Sequence, residues 1–283
     1  MKIGYLTEYD ENEVEFAVKN GFGSMELLVW PGMALDPAKT DEKTIMKAKE
    51  SLEKNNIEVS AIGCYHNPLS PDPKERKAAS EHLAGLMELC KKMGVNTLCT
   101  FAGQDPGKSI SDNIPGFKEV FAPLAKRAED MGLKIGFENC PMTDQLLRNY
   151  NIAYSPRAWD MMFDAVPSPA LGLEYDPSHL ICMFMDYVQI IRKYGSKIVH
   201  VHAKDAEIRH PEVDMYGIFD LSVSRHRIPG YGDVNWSKVV SAIIEAGYRG
   251  NLDIEGRHDA VFSGDLEHAG LILALKHLQQ FVW

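Results

Sequence analysis

Short runs of alternating or continuously apolar residues recur along the chain, separated by longer stretches with helical spacing. Helical periodicity is plain at Phe117, Val120, Phe121, Leu124, Ala125 and Ala128, and again at Trp236, Val239, Val240 and Ile243. Between the two kinds of segment the punctuation repeats. In KNGFGSMELLVW, KKMGVNTLCTF, EDMGLKIGFE and EAGYRGNLDIE a glycine (Gly21, Gly94, Gly132, Gly247) follows a helical pattern and precedes a strand pattern. Glycine suits the left-handed residue that closes a helix. The strand runs are Lys2–Thr7, Ser24–Trp30, Glu58–Tyr65, Val95–Phe101, Leu133–Glu138, Leu171–Asp176, Ile198–Ala203 and Asn251–Glu255.

Eight strands with intervening helices predict an α/β fold, a single (β/α)8 TIM barrel over residues 1–283. A doubly wound sheet would need a glycine-rich phosphate turn, which is missing. The chain has 283 residues, and one barrel of roughly 250 residues is ordinary. No linker interrupts it. The longest irregular stretch, from about Glu207 to Asn235, reads as a functional loop after the seventh strand.

Composition narrows the function. Hydrophobic residues make up 45% and charged residues 25%, the profile of a soluble globular chain. A formal net charge of −10 opposes phosphate backbones and anionic membranes, so neither nucleic acid nor membrane is expected as a partner. The five cysteines form no CxxC pair, and the N-terminus lacks a signal-peptide pattern; together they point to free thiols in the cytoplasm.

The candidate chemistry lies at strand ends. Glu138 in IGFEN, Asp176 in LEYDPSH, His202 in VHVHAKD and Glu255 in LDIEGRH end four successive strands. In a barrel these ends surround one mouth, where barrel enzymes keep their active sites. Three carboxylates and an imidazole make an oxygen-rich site for one divalent metal ion, Mn²⁺ foremost, with Mg²⁺, Co²⁺ or Zn²⁺ as alternatives. Each acid alone could equally be a solvated loop residue or a helix N-cap. Two residues below the ligands on the inward face come Gly136, Glu174, His200 and Asp253, while Phe137, Tyr175, Val201 and Ile254 face the helices. Buried polar groups need partners, so Glu174, His200 or Asp253 are expected to orient the ligands. A hydrogen-bonded barrel floor without metal is the alternative.

The phrases IGFEN, DPSH, HVHAKD, IPGYGDVNW and DIEGRH resemble the xylose isomerase-like barrel superfamily, and the resemblance runs over essentially the whole chain. It is nearest the ketose 3-epimerase and hydroxypyruvate isomerase branch. That resemblance implies that Glu138 and Glu255 are both ligands and the acid/base pair, that Asp176 and His202 complete the metal shell, and that His179 contacts substrate. It implies a divalent-metal-dependent isomerase or epimerase acting on a sugar or cyclitol through an enediolate. A lyase on a keto-sugar or keto-inositol would use the same site. A homo-oligomer is a further family-level expectation.

The remaining candidates carry two readings each. His66 lines the sugar pocket, binds metal as in multinuclear relatives, or is merely solvated. Glu26 and Trp30, read as ending the second strand, grip a polyol or pack in the core. Lys204 binds substrate or forms an ion pair. Arg227, with Arg225 and His226, binds a polar substrate group or belongs to an exposed charged turn. Arg257 and His258 divide in the same way. A DNA-repair endonuclease with a trinuclear zinc cluster is disfavoured by Ser224 where an acid would be wanted and by the acidic charge; retention of all four ligand types argues against a non-catalytic binding protein.

Overall fold

The computed structural model describes residues 1–141 and 150–282. Ten strands are present among them: β1 (Ile3–Thr7), β2 (Ser24–Leu28), β3 (Glu58–Gly63), β4 (Thr97–Thr100), β5 (Lys134–Glu138), β6 (Leu171–Tyr175), β7 (Ile198–Ala203), β8 (Asp205–Ile208), β9 (Ser224–Arg227) and β10 (Leu252–Ile254). Eight of them close a parallel barrel in the order β1-β10-β7-β6-β5-β4-β3-β2. This is the (β/α)8 barrel that the alternating pattern predicts.

Helices α1 (Glu11–Asn20), α2 (Glu42–Lys54), α3 (Pro73–Met93), α4 (Ile110–Met131) and α5 (Pro156–Ala165) belong to the outer layer. The three glycines that end α1, α3 and α4 have φ of 84°, 78° and 70°, and each amide donates back into its helix. The first four of these helices start on side-chain caps: Asp10, Asp41, Asp72 and Ser109 each accept a first-turn backbone N–H. Apolar residues that point outward from the strands, Phe137, Tyr175, Val201 and Ile254 among them, are buried against this layer. Phe117 and Phe121 of α4, for example, pack edge-on to Phe137.

Two details differ from the sequence reading, and both matter for the site. β2 stops at Leu28 rather than Trp30, and its pairing with β3 slips between Met25 and Glu26. Glu26 therefore lies inside the barrel and not at its rim. The stretch taken as one long loop after the seventh strand instead carries an antiparallel pair, β8 and β9, with a short helix (His210–Tyr216) between them. Asp205 organises its base by accepting from the amides of Ala206, Gly230 and Val234 and from the Trp236 indole. That anchoring is long-range in sequence and left no local periodic signal.

Candidate active site

Glu138, Asp176 and Glu255 come from the C-terminal ends of β5, β6 and β10, and the structure brings them together. With His179 of α6 (Pro177–Cys182) they offer four ligand atoms all within 4.8 Å of one another. Asp176 is the helix N-cap that the sequence offered as one of its readings. One carboxylate oxygen caps α6 by accepting the Ser178 amide at 2.7 Å, and the other faces the cluster. Local geometry is pinned by two asparagines that sequence reasoning passed over. Asn139 joins the ends of β5 and β6 by exchanging bonds of 2.8 Å with the Asp176 backbone. Asn151, fully buried, donates to the carbonyls of Glu138 and Cys140. The Asn in IGFEN, directly after a candidate ligand, was the available signal for the first.

His202 bridges two levels. Its Nδ1 faces the mouth, 3.3 Å from Glu138 Oε1 and 3.2 Å from Glu255 Oε2. Its Nε2 faces the floor, 2.7 Å from Glu26 Oε2 and 3.0 Å from Glu174 Oε1. A carboxylate only accepts, so these floor contacts assign a proton to Nε2 and make Nδ1 the nitrogen that faces the mouth.

The floor is a connected network of buried groups. His200 Nε2 lies 3.1 Å from Glu26 Oε2 and 3.4 Å from Asp253 Oδ2. Asp253 accepts from Ser24 at 2.7 Å and Ser60 at 2.6 Å. The Tyr65 hydroxyl donates to Glu26 at 2.8 Å. Burial alone would push Glu26 up, but the His202 and His200 rings beside it hold it far below the ordinary carboxylate range. Burial, together with the Glu26 charge, pushes Glu174 up to about 7. At the mouth, burial works against ionisation of Glu255, yet the Lys204 ammonium, 2.9 Å away, holds it well below its usual range.

The chemistry of this donor set fits a divalent cation. Asp176 Oδ2, His179 Nε2 and Glu255 Oε2 are buried and make no hydrogen bond, while His202 Nδ1 looks at two carboxylate oxygens. Buried carboxylate oxygens converging in this way carry a large desolvation cost that a positive ion among them would offset. The second nitrogen of His202 is already bonded to Glu26, as metal-binding imidazoles require.

A cavity of about 440 Å³ opens above the cluster. Leu28, Trp30, Tyr65 and Phe101 give its lining an apolar part, and Lys204, His179, His226 and His258 a polar part. Thus Trp30, Lys204 and His179, all candidates from sequence, lie on the cavity. Three other placements differ. Glu26, expected to grip a polyol, is wholly buried beneath His202, because β2 ends two residues earlier than expected. Arg227, expected at the substrate, is held away from the cavity by Asp259 and Glu207, each at 3.1 Å; the β8–β9 pairing turns its neighbour His226 inward instead. His66 stands behind Trp30, ring centroids 4.5 Å apart, and does not line the cavity.

A model of the xylose isomerase-like TIM barrel family matches residues 14–280. The chain belongs to this family. It is 27% identical to the uncharacterized protein YfiH of Bacillus subtilis, over 100% of this chain and 99% of that protein. It is 25% identical to an inosose dehydratase of Bacillus cereus, over 82% of this chain and 79% of that one. Among solved structures, a D-psicose 3-epimerase from Clostridium cellulolyticum H10 shares the fold with a TM-score of 0.74 and 18% identity, over 99% of both chains. The xylose isomerase-like relatives named for a reaction are therefore epimerases and dehydratases. Among the described residues, no helix is long and apolar enough to cross a membrane.

Proposed function

We propose that this xylose isomerase-like barrel is a divalent-metal-dependent isomerase or epimerase of a small polyhydroxy ketone, a sugar or a cyclitol. The observation that carries the reading is the pair Glu138 and Glu255, set on strands β5 and β10 at the rim of one cavity with acceptor atoms converging between them. Glu138, Asp176, His202 and Glu255 would hold the ion, with His179 at its edge. When bound, a divalent cation there supplies Lewis acidity that polarises a carbonyl and lowers the acidity barrier at the neighbouring carbon. Mn²⁺ suits three carboxylates and one imidazole.

The chain's own groups do the rest. One glutamate removes the proton from the carbon beside the carbonyl, and the other returns a proton on the opposite face, which inverts that centre. If the proton returns to the adjacent carbon, the same pair interconverts aldose and ketose. Trp30, Tyr65 and Phe101 present an apolar wall that excludes water and receives the C–H face of a ring. His179, His226 and His258 are placed to hydrogen-bond hydroxyls. This reading takes residues 1–283 as one catalytic domain, working in the cytoplasm where its five cysteines stay unpaired.

A dehydratase is the second reading, and Lys204 favours it. Its ammonium is buried, 2.9 Å from Glu255 and 3.3 Å from His258, where it would hydrogen-bond a hydroxyl leaving the carbon next to the one deprotonated. The likeness to inosose dehydratase supports the same reaction class. The test is incubation of Mn²⁺-loaded protein in D₂O with ketoses and keto-cyclitols. An epimer or isomer carrying solvent deuterium supports the first reading, and an ultraviolet-absorbing enone or dione supports the second. Absence of both product and deuterium exchange across the panel would remove enolisation altogether.

A further inference from the structure

Behind the apolar wall of the cavity a second set of ligand atoms converges. Cys64 follows β3, His66 comes two residues later, and His82 projects inward from α3. The Cys64 sulfur and one ring nitrogen from each histidine lie within 4.8 Å of one another. None of the three belongs to the cluster at the mouth.

Several contacts set this group apart from incidental packing. His82 Nε2 is 2.9 Å from the Val29 carbonyl, which only accepts, so that nitrogen carries the proton and Nδ1 presents its lone pair. Nδ1 in turn looks at Asp36 Oδ1 across 4.0 Å. Asp36 is held in place by the amides of Gly32 and Ala38. His66 Nε2 is buried and has no hydrogen-bond partner. The Cys64 side chain is fully buried beside these two rings.

We propose that Cys64, His66 and His82 form a second metal site for one Zn²⁺ ion, with Asp36 as the neighbouring balancing carboxylate. One thiolate and two imidazoles are softer than the oxygen-rich mouth and match zinc in kind and number, leaving a fourth position for Asp36 or water. Binding forms the sulfur–zinc bond and releases the thiol proton to solvent. Burial pushes the Cys64 thiol up to about 12, so the proton stays until a cation displaces it. The ion would act on the cavity through Trp30, which packs edge-on against His66 and forms part of the substrate wall.

The probe is Co²⁺ alone, added to chelator-stripped full-length protein. Wild type should develop a thiolate-to-cobalt charge-transfer band, retained in Asp176→Asn and Cys140→Ser and lost in Cys64→Ser. In parallel, zinc content by mass spectrometry should fall by one equivalent per chain in Cys64→Ser and in His66→Asn, the latter at a partly exposed loop position that keeps the test open if the cysteine variant does not fold. The proposal is overturned if wild type shows no such band, if the band survives Cys64→Ser, or if the zinc content of His66→Asn equals that of wild type. Asp176→Asn reports on the mouth site separately, so failure of one metal reading leaves the other intact.

Discussion

Glu26→Gln isolates the contribution of the barrel floor to the proposed metal centre. Glu26 accepts from His202 at 2.7 Å, from His200 at 3.1 Å and from Tyr65 at 2.8 Å, with no exposure to solvent. Glutamine keeps the volume and one oxygen, and the Tyr65 hydroxyl can turn to accept from the new amide. What is lost is the charge. Hydrogen bonds to ionised groups contribute about 1.5–3 kcal/mol against about 0.5–1.5 kcal/mol for neutral ones, so the His202 bond alone weakens by about 1–1.5 kcal/mol. A neutral acceptor also makes the ring a poorer electron donor at Nδ1. Together these should lower affinity at the mouth by about 10–100-fold, the range seen when the acceptor behind a metal-binding imidazole is removed. The assay is competition for Mn²⁺ between a calibrated chelator and each protein, with circular dichroism confirming the fold. A folded Glu26→Gln protein that binds Mn²⁺ as tightly as wild type would refute both the tautomer assigned to His202 and its place in the metal shell.

Three other outcomes are expected. Glu255→Gln should lower kcat by at least about 100-fold, the scale of a lost general acid or base, while circular dichroism stays that of wild type; steady-state kinetics with the substrate found in the D₂O screen decides this. Gly4→Ala should destabilise the barrel by about 3 kcal/mol, because a Cβ there would stand 2.1 Å from Asp253 Oδ1 and 2.2 Å from the Ser24 carbonyl; an unchanged thermal midpoint would show that the floor yields freely. Burial pushes Asp205 up from 3.8 to about 6 despite its four N–H donors, so the folded protein keeps this proton where the unfolded chain has lost it. Stability from that group is complete below pH about 4 and falls away as pH rises through about 6, by about 3 kcal/mol. Asp205→Asn lacks this titration, so urea unfolding should show the difference between variant and wild type shifting by that amount in the variant's favour from pH 4 to pH 7. A constant difference would mean the donors hold Asp205 ionised throughout.

The order of strands and the convergence of Glu138, Asp176 and Glu255 were legible before any coordinates, for a physical reason. Strand and helix leave different periods in the sequence, glycines mark where helices end, and in a closed parallel barrel every strand's C-terminal residue reaches the same rim. Knowing that Glu138 ends a strand is therefore almost knowing where it is. The inward positions of Glu174, His200 and Asp253 follow from the same alternation.

What local pattern could not decide was height and direction. Whether Glu26 sits at the rim or beneath it depends on where β2 stops and on a register slip against β3, both set by pairing with strands distant in sequence. Gly63 on β3 leaves the room it occupies, since a Cβ there would meet Glu26 Oε1 at 2.5 Å. Arg227 was drawn from the cavity by Asp259, a partner 32 residues away. His202 was visible as a ligand type, but only packing shows that one nitrogen faces the cavity at the mouth and the other a buried carboxylate. Sequence determined which residues ring the mouth because backbone periodicity is local; tertiary structure decided which atoms face one another there, because hydrogen-bond partners and strand register are chosen only when the barrel closes.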